Sequence, residues 1–305
     1  MGSSLPRELS APGPVACAPL PVPMSAFVRL QKILPQHLLS RAAGRLAASE
    51  GWVRGPLIRA FARAYDVDMA EAERPDLADY RSFNDFFTRS LGPDARPIDP
   101  APGAVVSPAD GVVSQTGVVQ DGQVLQAKGI RYSFEALAGA CADPAFEGGP
   151  FATVYLSPSD YHRVHLPLAG RLVRTVAIPG KLFSVNATTE AGVEGLFAVN
   201  ERLVCAFETD AGRMLLVMVG AMIVASIETV WDGPASPYRE TVVTEHDQSF
   251  EAGAEIGRFL LGSSVVLAFE PGRVRLDDTL AAGSVLRMGQ RIGHAETPGS
   301  GDARV

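Results

Sequence analysis

The chain has 305 residues, of which 47% are hydrophobic and 20% are charged, a balance that excludes a disordered protein. Its 30 glycines and 23 prolines indicate many turns and short strands rather than a helical bundle. The formal net charge of −7 argues against nucleic acid as the main partner, and no segment reaches the roughly 18–20 apolar residues of a membrane-spanning helix.

The N-terminal residues 1–23 are rich in proline and alanine and have no apolar core of the signal-peptide type, so we expect a disordered leader. The chain has three cysteines, an odd and widely spaced set that predicts neither a disulfide framework nor a zinc site. A reducing compartment is therefore expected. These cysteines are Cys17, Cys141 and Cys205.

Residues 24–65 hold seven basic residues and one acid, so this segment carries +6 and the remainder carries −13 (−7 minus +6). Apolar residues recur within it at helical spacing, which predicts three short amphipathic helices. Such helices fit an arm that lies in a lipid interface. They fit equally well a set of helices whose apolar faces pack on the protein core while the arginines are solvated.

The next segment reverses the charge, with six acids between residues 66 and 79. Ser82 then precedes a short apolar run and predicts the N-cap of a helix. Four prolines between residues 93 and 102 predict a linker. We therefore place a domain boundary there, with a helical module over residues 24–92.

Beyond residue 93 the pattern is that of short strands. Two strands flank a Pro-Ala-Asp110-Gly turn between residues 104 and 114, and a weak repeat relates residues 252–259 to 282–294. The predicted fold is α+β: an amphipathic helical module followed by a β-rich sandwich of the carrier-domain, barrel-sandwich type over residues 93–305. Further strands are expected at 152–156, 171–178 and 203–208, and a buried strand pair at 214–227.

Leu261-Gly262-Ser263-Ser264 interrupts two apolar runs near the C-terminus. A tight turn is the simplest interpretation. A chemical interpretation is also open, because Gly262 has no Cβ to shield its carbonyl and Ser263 places a hydroxyl next to it. A nearby base could drive that hydroxyl onto the carbonyl and turn the amide into an ester. Elimination and hydrolysis would then leave a pyruvoyl group at a new N-terminus.

Two histidines, His162 and His165, follow a Ser-Pro turn. Zinc binding would need further ligands that the neighbouring sequence does not supply, and a purely structural pair remains possible. Asp110, by default a turn residue, could complete a nucleophile, base and orienting set with Ser263 and a histidine. The only lysines are Lys32, Lys128 and Lys181, and nothing around them suggests a pyridoxal site.

Four motifs, in this order, resemble the pyruvoyl-dependent, bacterial type of phosphatidylserine decarboxylase. The resemblance covers residues 27–293 and implies a proenzyme that cuts itself between Gly262 and Ser263, giving a β chain (1–262) and an α chain (263–305). The motifs are Ser-Pro-Ala-Asp110-Gly, Tyr155-Leu-Ser-Pro-Ser-Asp-Tyr-His162-Arg-Val-His165-Leu-Pro, Phe183-Ser-Val-Asn186 and Leu-Gly262-Ser263-Ser.

The resemblance implies that His165 activates Ser263, that Asp110 orients His165, and that His162 serves substrate binding or protonation. The pyruvoyl group formed from Ser263 would join phosphatidylserine through a Schiff base and yield phosphatidylethanolamine and CO2, without a metal. Ser264 stands where the family most often has threonine. Both residues carry a hydroxyl, so we expect cleavage to survive.

The same resemblance makes residues 24–65 a docking module for an anionic membrane surface, and implies a homodimer on the cytoplasmic side of the inner membrane. Two other functions stay open on the residues alone. One is a Ser-His-Asp hydrolase acting on a lipid ester, which would leave the chain intact. The other is a non-catalytic lipid-binding or carrier-like module, suggested by the late repeat.

Overall fold

The computed structural model describes residues 26–221, 227–231, 233, 236–260 and 263–296. The expected leader and the glycine of the proposed cleavage site, Gly262, lie outside these ranges. Cys141 and Cys205 are both buried and free of disulfides, whereas Cys17 falls in the undescribed N-terminus.

Seven α-helices are described, and the three longest form the N-terminal arm, as the helical spacing predicts. The short helix after residue 82 is confirmed too, since the Ser82 hydroxyl accepts a hydrogen bond from the Asp85 amide. In chain order the helices are α1 Ala26–Ile33, α2 Gln36–Ala47, α3 Arg54–Ala64, α4 Phe83–Phe87, α5 Phe134–Ala138, α6 Ala187–Glu190 and α7 Leu196–Val199.

Sixteen strands are described. They begin with β1 Ala104–Val106, β2 Gly111–Val118, β3 Gln123–Leu125, β4 Arg131–Ser133, β5 Pro150–Leu156, β6 Arg163–His165, β7 Gly170–Ile178 and β8 Arg202–Thr209. They continue with β9 Gly212–Val219, β10 Ile227–Thr229, β11 Val242–Phe250, β12 Glu255–Phe259, β13 Ser263–Phe269, β14 Val274–Leu276, β15 Val285–Leu286 and β16 Arg291–Ala295.

Eight strands form one antiparallel sheet in the order β11-β7-β8-β9-β13-β5-β2-β15. Alternate residues of β13 enter two different apolar cores, as the two-residue period of a strand requires. Val265 and Leu267 pack into the core on one face, and Val266 and Ala268 into the core on the other. Burial on both faces explains why this stretch has no alternation of apolar and polar residues.

Three smaller sheets complete the β-rich domain: β1-β16-β14, β10-β12-β6 and the hairpin β3-β4. The expected strands near residues 104–114, 152–156, 171–178 and 203–208 are all present. The α+β prediction, with a helical module followed by a β-rich domain, is confirmed. Of the buried strand pair expected at 214–227, the structure describes β9 at the start and the first residue of β10 at the end. Residues 222–226, between them, lie outside the described ranges.

The arm helices differ in how they use their apolar residues. Helix α3 packs through Ile58 and Phe61 against the aromatic cluster of α4, whose Phe83, Phe86 and Phe87 are buried. Helix α2, in contrast, leaves its leucines exposed, and Leu38 keeps 64% of its surface accessible. Packing on the protein core therefore describes α3, whereas the leucines of α2 are left without such packing.

The described helices include none that combines enough length with enough apolar character to cross a membrane.

Candidate active site

Three strands bring the predicted site residues to one end of the large sheet. Val112 pairs with Tyr155, and Tyr155 pairs on its other side with Ser264. The Asp110 turn, which leads into β2, therefore lies two strands away from the start of β13. Gly111 allows this close approach, because a Cβ at its φ of +154° would come within 2.2 Å of the Tyr155 carbonyl oxygen.

The Asp110 turn is also tied to the histidine segment. The amide of His165 donates to the Pro108 carbonyl at 2.8 Å, and the amide of Val106 donates to the Pro167 carbonyl at 3.0 Å. The histidine segment reaches β12, which leads towards the cleavage site, because the amide of Phe259 donates to the His162 carbonyl. Asp110, the two histidines and the start of β13 thus converge, although they are far apart in sequence.

Asp110 is held by an arginine rather than by a histidine. Arg96 donates from Nε to Oδ1 at 2.8 Å and from Nη2 to Oδ2 at 2.5 Å, and the Met288 amide also donates to Oδ1. Arg96 reaches Glu71 as well, at 2.7 Å, and this hydrogen bond lowers the pKa of the Glu71 carboxyl. Arg96 lies between residues 93 and 102, so the proline-rich segment predicted to be a linker packs against the site.

His165 has a hydrogen bond at each ring nitrogen, and neither involves Asp110. Nδ1 lies 2.8 Å from the Gly253 carbonyl oxygen, and Nε2 lies 3.0 Å from the Tyr161 hydroxyl. Burial lowers the pKa of His165, so the imidazole is neutral near pH 7. A neutral imidazole on the segment that is bonded to the Asp110 turn is chemically suited to accept a proton. The hydrogen bond from the His165 ring to the Asp110 carboxylate that the triad implies is absent from the described contacts.

His162 is fully buried against the Phe87 ring, with 4.0 Å between ring centroids. Its Nδ1 donates to the Asp160 carbonyl at 2.8 Å, so the proton is on Nδ1 and Nε2 carries the lone pair. Nε2 has no hydrogen-bond partner among the described atoms. Burial lowers the pKa of His162 to about 3, and in this state the free nitrogen can accept a proton but has none to donate.

The cleavage site itself is described in part. Ser263 opens β13 in register with Leu156, but its side chain and the whole of Gly262 lie outside what the structure describes. Position 263 is two residues before Val265 and four before Leu267, so all three positions lie on the same face of β13. The core that contains Val265 and Leu267 also contains Ala109 and Val164. Ser264 is fully buried, and its hydroxyl has no partner among the described atoms.

Sequence reasoning missed three residues of this corner: Arg96, Glu71 and Tyr161. No local signal distinguishes Arg96 from an arginine in a solvated linker, because its partners lie 14 and 25 residues away. Tyr161 stands within the quoted histidine motif and could have been found there. In the part of the chain that the structure describes, no cluster of three or more histidine, cysteine or acidic side chains is placed to hold a metal ion.

Comparisons with known proteins point to one family. The family model described as phosphatidylserine decarboxylase matches residues 83–294, and a second one, described only as PSD, matches residues 26–66. A relative from Azotobacter vinelandii, named phosphatidylserine decarboxylase proenzyme, is 54% identical over 279 residues, which cover 88% of this chain and 98% of the relative.

Relatives of the same name from Pseudomonas fluorescens and Acinetobacter baylyi are 53% and 48% identical to this chain. The alignments cover 88% and 89% of this chain, and 96% of each relative. Both the arm and the β-rich domain are therefore shared with these proteins.

Proposed function

Because the chain belongs to the phosphatidylserine decarboxylase family, we propose that it is a proenzyme that cuts itself between Gly262 and Ser263 and then decarboxylates phosphatidylserine. The observation that carries the proposal is the convergence of the Asp110 turn, His165 and the start of β13 at one end of the large sheet. The arrangement supplies a neutral base on the segment that is hydrogen-bonded to the Asp110 turn, and Ser263 opens β13 two strands away from that turn.

The cleavage needs only atoms of this chain and one water. The Ser263 hydroxyl oxygen attacks the Gly262 carbonyl carbon while its proton passes to His165, and the C–N bond breaks as the Ser263 nitrogen takes a proton. The ester then loses the Cα proton and expels the Gly262 carboxylate. Water converts the remaining dehydroalanine to a pyruvoyl group and ammonia.

A pyruvoyl group at position 263 would supply the carbonyl that takes the substrate amine and the sink for the electrons released with CO2. The surroundings fit such a group. The next residue, Ser264, pairs with Tyr155 on one side and Val219 on the other, so the new N-terminus would stay anchored within the sheet. The unpartnered Nε2 of His162 lies in the same corner, and the two lysines whose side chains are described, Lys128 and Lys181, are exposed.

The arm lies at the same end of the sheet, which supports docking on an anionic membrane. Gln36 of α2 accepts a hydrogen bond from the Leu182 amide, just beyond the end of β7. Two cavities of about 570 and 440 Å³ open beside His37, and none of their described lining residues is acidic. Their cationic lining residues are Arg41, Lys181 and Arg239, and the exposed apolar side chains nearby include Ile33 and Leu38.

This placement would let a lipid substrate reach the site from the bilayer surface. Basic residues near an anionic leaflet contribute roughly 1 kcal/mol each, so the excess of cations in residues 24–65 favours such a surface. We place the enzyme as a peripheral protein on the cytoplasmic side of the inner membrane, and as a homodimer, as the resemblance implies.

Intact-protein mass spectrometry tests the cleavage. We expect two fragments split at the Gly262–Ser263 bond, with the second carrying a pyruvoyl group in place of Ser263. Ser263→Ala is the control and should remain one chain of 305 residues. An intact wild-type chain that reacts with a serine-directed fluorophosphonate and releases no CO2 would instead identify a hydrolase.

Reductive trapping tests the cofactor separately. Borohydride added together with phosphatidylserine should attach the lipid covalently to the 263–305 fragment. A cut chain whose 263–305 fragment takes up no lipid would contradict the pyruvoyl proposal.

A further inference from the structure

The two cavities beside His37 lie where helix α2 of the arm meets the β-rich domain. The ring Nε2 of His37 donates to the Gly180 carbonyl at 3.1 Å, and this contact ties α2 to the segment after β7. His37 lines both the larger cavity, of about 570 Å³, and the smaller one, of about 440 Å³. The two cavities are therefore neighbours, and the arm and the domain each contribute to their walls.

The larger cavity is lined mainly by apolar side chains. Leu34 and Leu38 come from the arm, and Phe183 and Val199 come from the β-rich domain. Leu38 keeps 64% of its surface accessible, so the cavity opens onto the exposed apolar face of α2. Such a recess is suited to a hydrocarbon chain, because binding removes apolar surface of both partners from water.

The smaller cavity is basic. Arg41 of α2 and Arg239 of the β-rich domain both line it and are exposed, and neither forms an ion pair within the described residues. Elsewhere on this domain an exposed arginine such as Arg171 is paired with two acids, Glu208 and Asp247. Two unpaired guanidinium groups on one cavity favour an anion with several oxygens, such as a phosphodiester.

The wall that carries Arg239 is anchored by a buried carboxylate. Glu201, 1% exposed and just before β8, accepts hydrogen bonds from the Ser236 hydroxyl and, at 2.8 Å, from the Tyr238 amide. Each of its two oxygens is engaged in this way, and no described ion pair joins it to Arg41 or Arg239. The basic cavity is therefore preorganised, and both guanidinium groups remain available to a ligand.

The cavities are separate from the start of β13. Arg202 of β8 pairs with Val219, and Val219 pairs with Ser264. Neighbouring strands lie about 4.8 Å apart, so β8 is roughly 10 Å from β13 at this end of the sheet. The few bonds between the phosphate and the amine of one phosphatidylserine molecule do not span this distance. A lipid held in the cavities is therefore not the substrate in its reacting position.

We propose that the two cavities bind one anionic phospholipid in addition to the substrate, with its phosphodiester between Arg41 and Arg239 and an acyl chain against Leu38 and Val199. The inference rests on the membrane docking of the proposed function. One lipid then contacts both α2 and the β-rich domain, so it fastens the arm to the domain at the membrane surface. The site should prefer a lipid without a cationic head group, since none of the described lining residues is acidic.

The test is calorimetric titration of the full-length wild-type enzyme with dihexanoyl-phosphatidylglycerol, kept below its micelle concentration. This lipid has no amine and forms no Schiff base, and we expect one molecule per protomer. Arg239→Gln should weaken binding about 10- to 100-fold, the effect of losing one hydrogen bond to a charged group. Arg239 lies outside residues 24–65, so general attraction of the arm to anions does not predict this loss.

Arg273→Gln is the matched control. Arg273 is also exposed and forms no ion pair within the described residues, but it follows the far end of β13. This variant should bind the lipid as the wild type does. Inorganic phosphate and dihexanoyl-phosphatidylcholine should each bind the wild type at least about tenfold more weakly than the anionic lipid. Equal binding of phosphate would identify a simple anion site, and equal binding of the zwitterionic lipid would exclude a role for charge; either result overturns the inference.

Trapping separates this site from the catalytic one. Enzyme reduced with borohydride on dihexanoyl-phosphatidylserine should still bind one phosphatidylglycerol molecule with unchanged affinity. Loss of binding after trapping would show that the cavities belong to the path of the substrate and would overturn the inference, as would wild-type affinity in Arg239→Gln. Neither result bears on the proposed function, which fails if the wild-type chain is never cut at Gly262–Ser263 or does not float with anionic vesicles.

Discussion

The corner of the candidate site is the region formed by the Asp110 turn, His162, His165 and the start of β13. It lies at the same end of the large sheet as the N-terminal arm, but the two regions differ in how they use charged and apolar side chains. In the corner, Arg96 and Asp110 form a buried ion pair, and Arg163 and Glu255 form a half-buried one. In the arm, helix α2 exposes leucines, and Trp52 keeps 88% of its surface accessible. Within the described residues, none of the exposed arginines of α2 and α3 forms an ion pair; these are Arg41, Arg45, Arg59 and Arg63.

The difference teaches where single side chains matter. A buried polar group is positioned by a few named partners, and removing one of them leaves another unsatisfied at a cost of about 1–3 kcal/mol or more. An exposed cation or leucine contributes a small, nearly additive increment to binding a surface. A single substitution should therefore abolish the chemistry of the corner, whereas each substitution in the arm should weaken membrane binding by only a small amount.

The largest effect is expected at the two histidines, to which the proposed function gives different steps: His165 to cleavage and His162 to decarboxylation. His165→Ala removes the lone pair that takes the Ser263 proton, and general-base catalysis is worth about 10²–10⁴-fold. The uncut 305-residue chain should accumulate, as it should completely in Ser263→Ala. His162→Ala should be cut and yet release little CO2. Intact mass and CO2 release measure the two steps, and the opposite pattern would mean that the histidines are assigned the wrong way round.

The next largest effect concerns the buried ion pair. Arg96→Met leaves the Asp110 carboxylate, whose side chain is 9% exposed, without its counter-charge. Breaking a buried pair costs about 3–5 kcal/mol, so the free energy of unfolding should fall by that order. Urea unfolding in a Ser263→Ala background keeps the chain in one piece for the measurement.

The matched control for this pair is Arg171→Met. Arg171 also pairs with two acids, Glu208 and Asp247, but at the exposed edge of the sheet. Its loss should change stability far less, because exposed pairs are screened by solvent. If both variants lost the same free energy of unfolding, the buried ion pair would contribute no more to stability than the exposed one.

The corner also shows what sequence reasoning can and cannot predict. Apolar runs and turn residues located β5, β7 and β8, since strand length and turn chemistry are local properties. Motif order predicted that Asp110 orients His165, and the structure joins the Asp110 turn to the His165 backbone amide but not the two side chains to each other. It could not predict their partners. The partner of His165 is the backbone carbonyl of Gly253, which has no side-chain signal in the sequence. The partner of Asp110 is Arg96, which lies 14 residues away in a segment with the composition of a linker.

A smaller effect is expected from pH. The folded pKa of His162, about 3, lies below its unfolded value near 6.5, so the unfolded chain binds more protons between these values. The stabilisation from the neutral imidazole is therefore complete above pH 6.5 and is lost as the pH falls, by up to about 1.4 kcal/mol per pH unit. In the Ser263→Ala background, His162→Gln should flatten this slope. His294→Gln, at a half-exposed site, should retain it, and equal slopes for the two variants would contradict the assignment.

The smallest effect is expected in the arm, and it calls for substitution rather than deletion. Removing residues 24–65 would also remove Ile58, which is fully buried, and Gln36, which holds the Leu182 amide, so lost binding could reflect lost folding. Trp52→Ser and Leu38→Ser avoid this because both side chains are exposed.

Burying one such side chain in a lipid interface is worth about 1.5 kcal/mol or more, so each change should weaken flotation with anionic vesicles about tenfold. Self-cleavage should be unaffected, since neither side chain contacts the corner. Val118→Ser is the control, at an exposed position on the far end of β2, and should leave flotation unchanged. If Trp52→Ser and Leu38→Ser bind vesicles as tightly as the wild type, neither the exposed face of α2 nor the turn that carries Trp52 docks on lipid, and the arm serves only to pack against the β-rich domain.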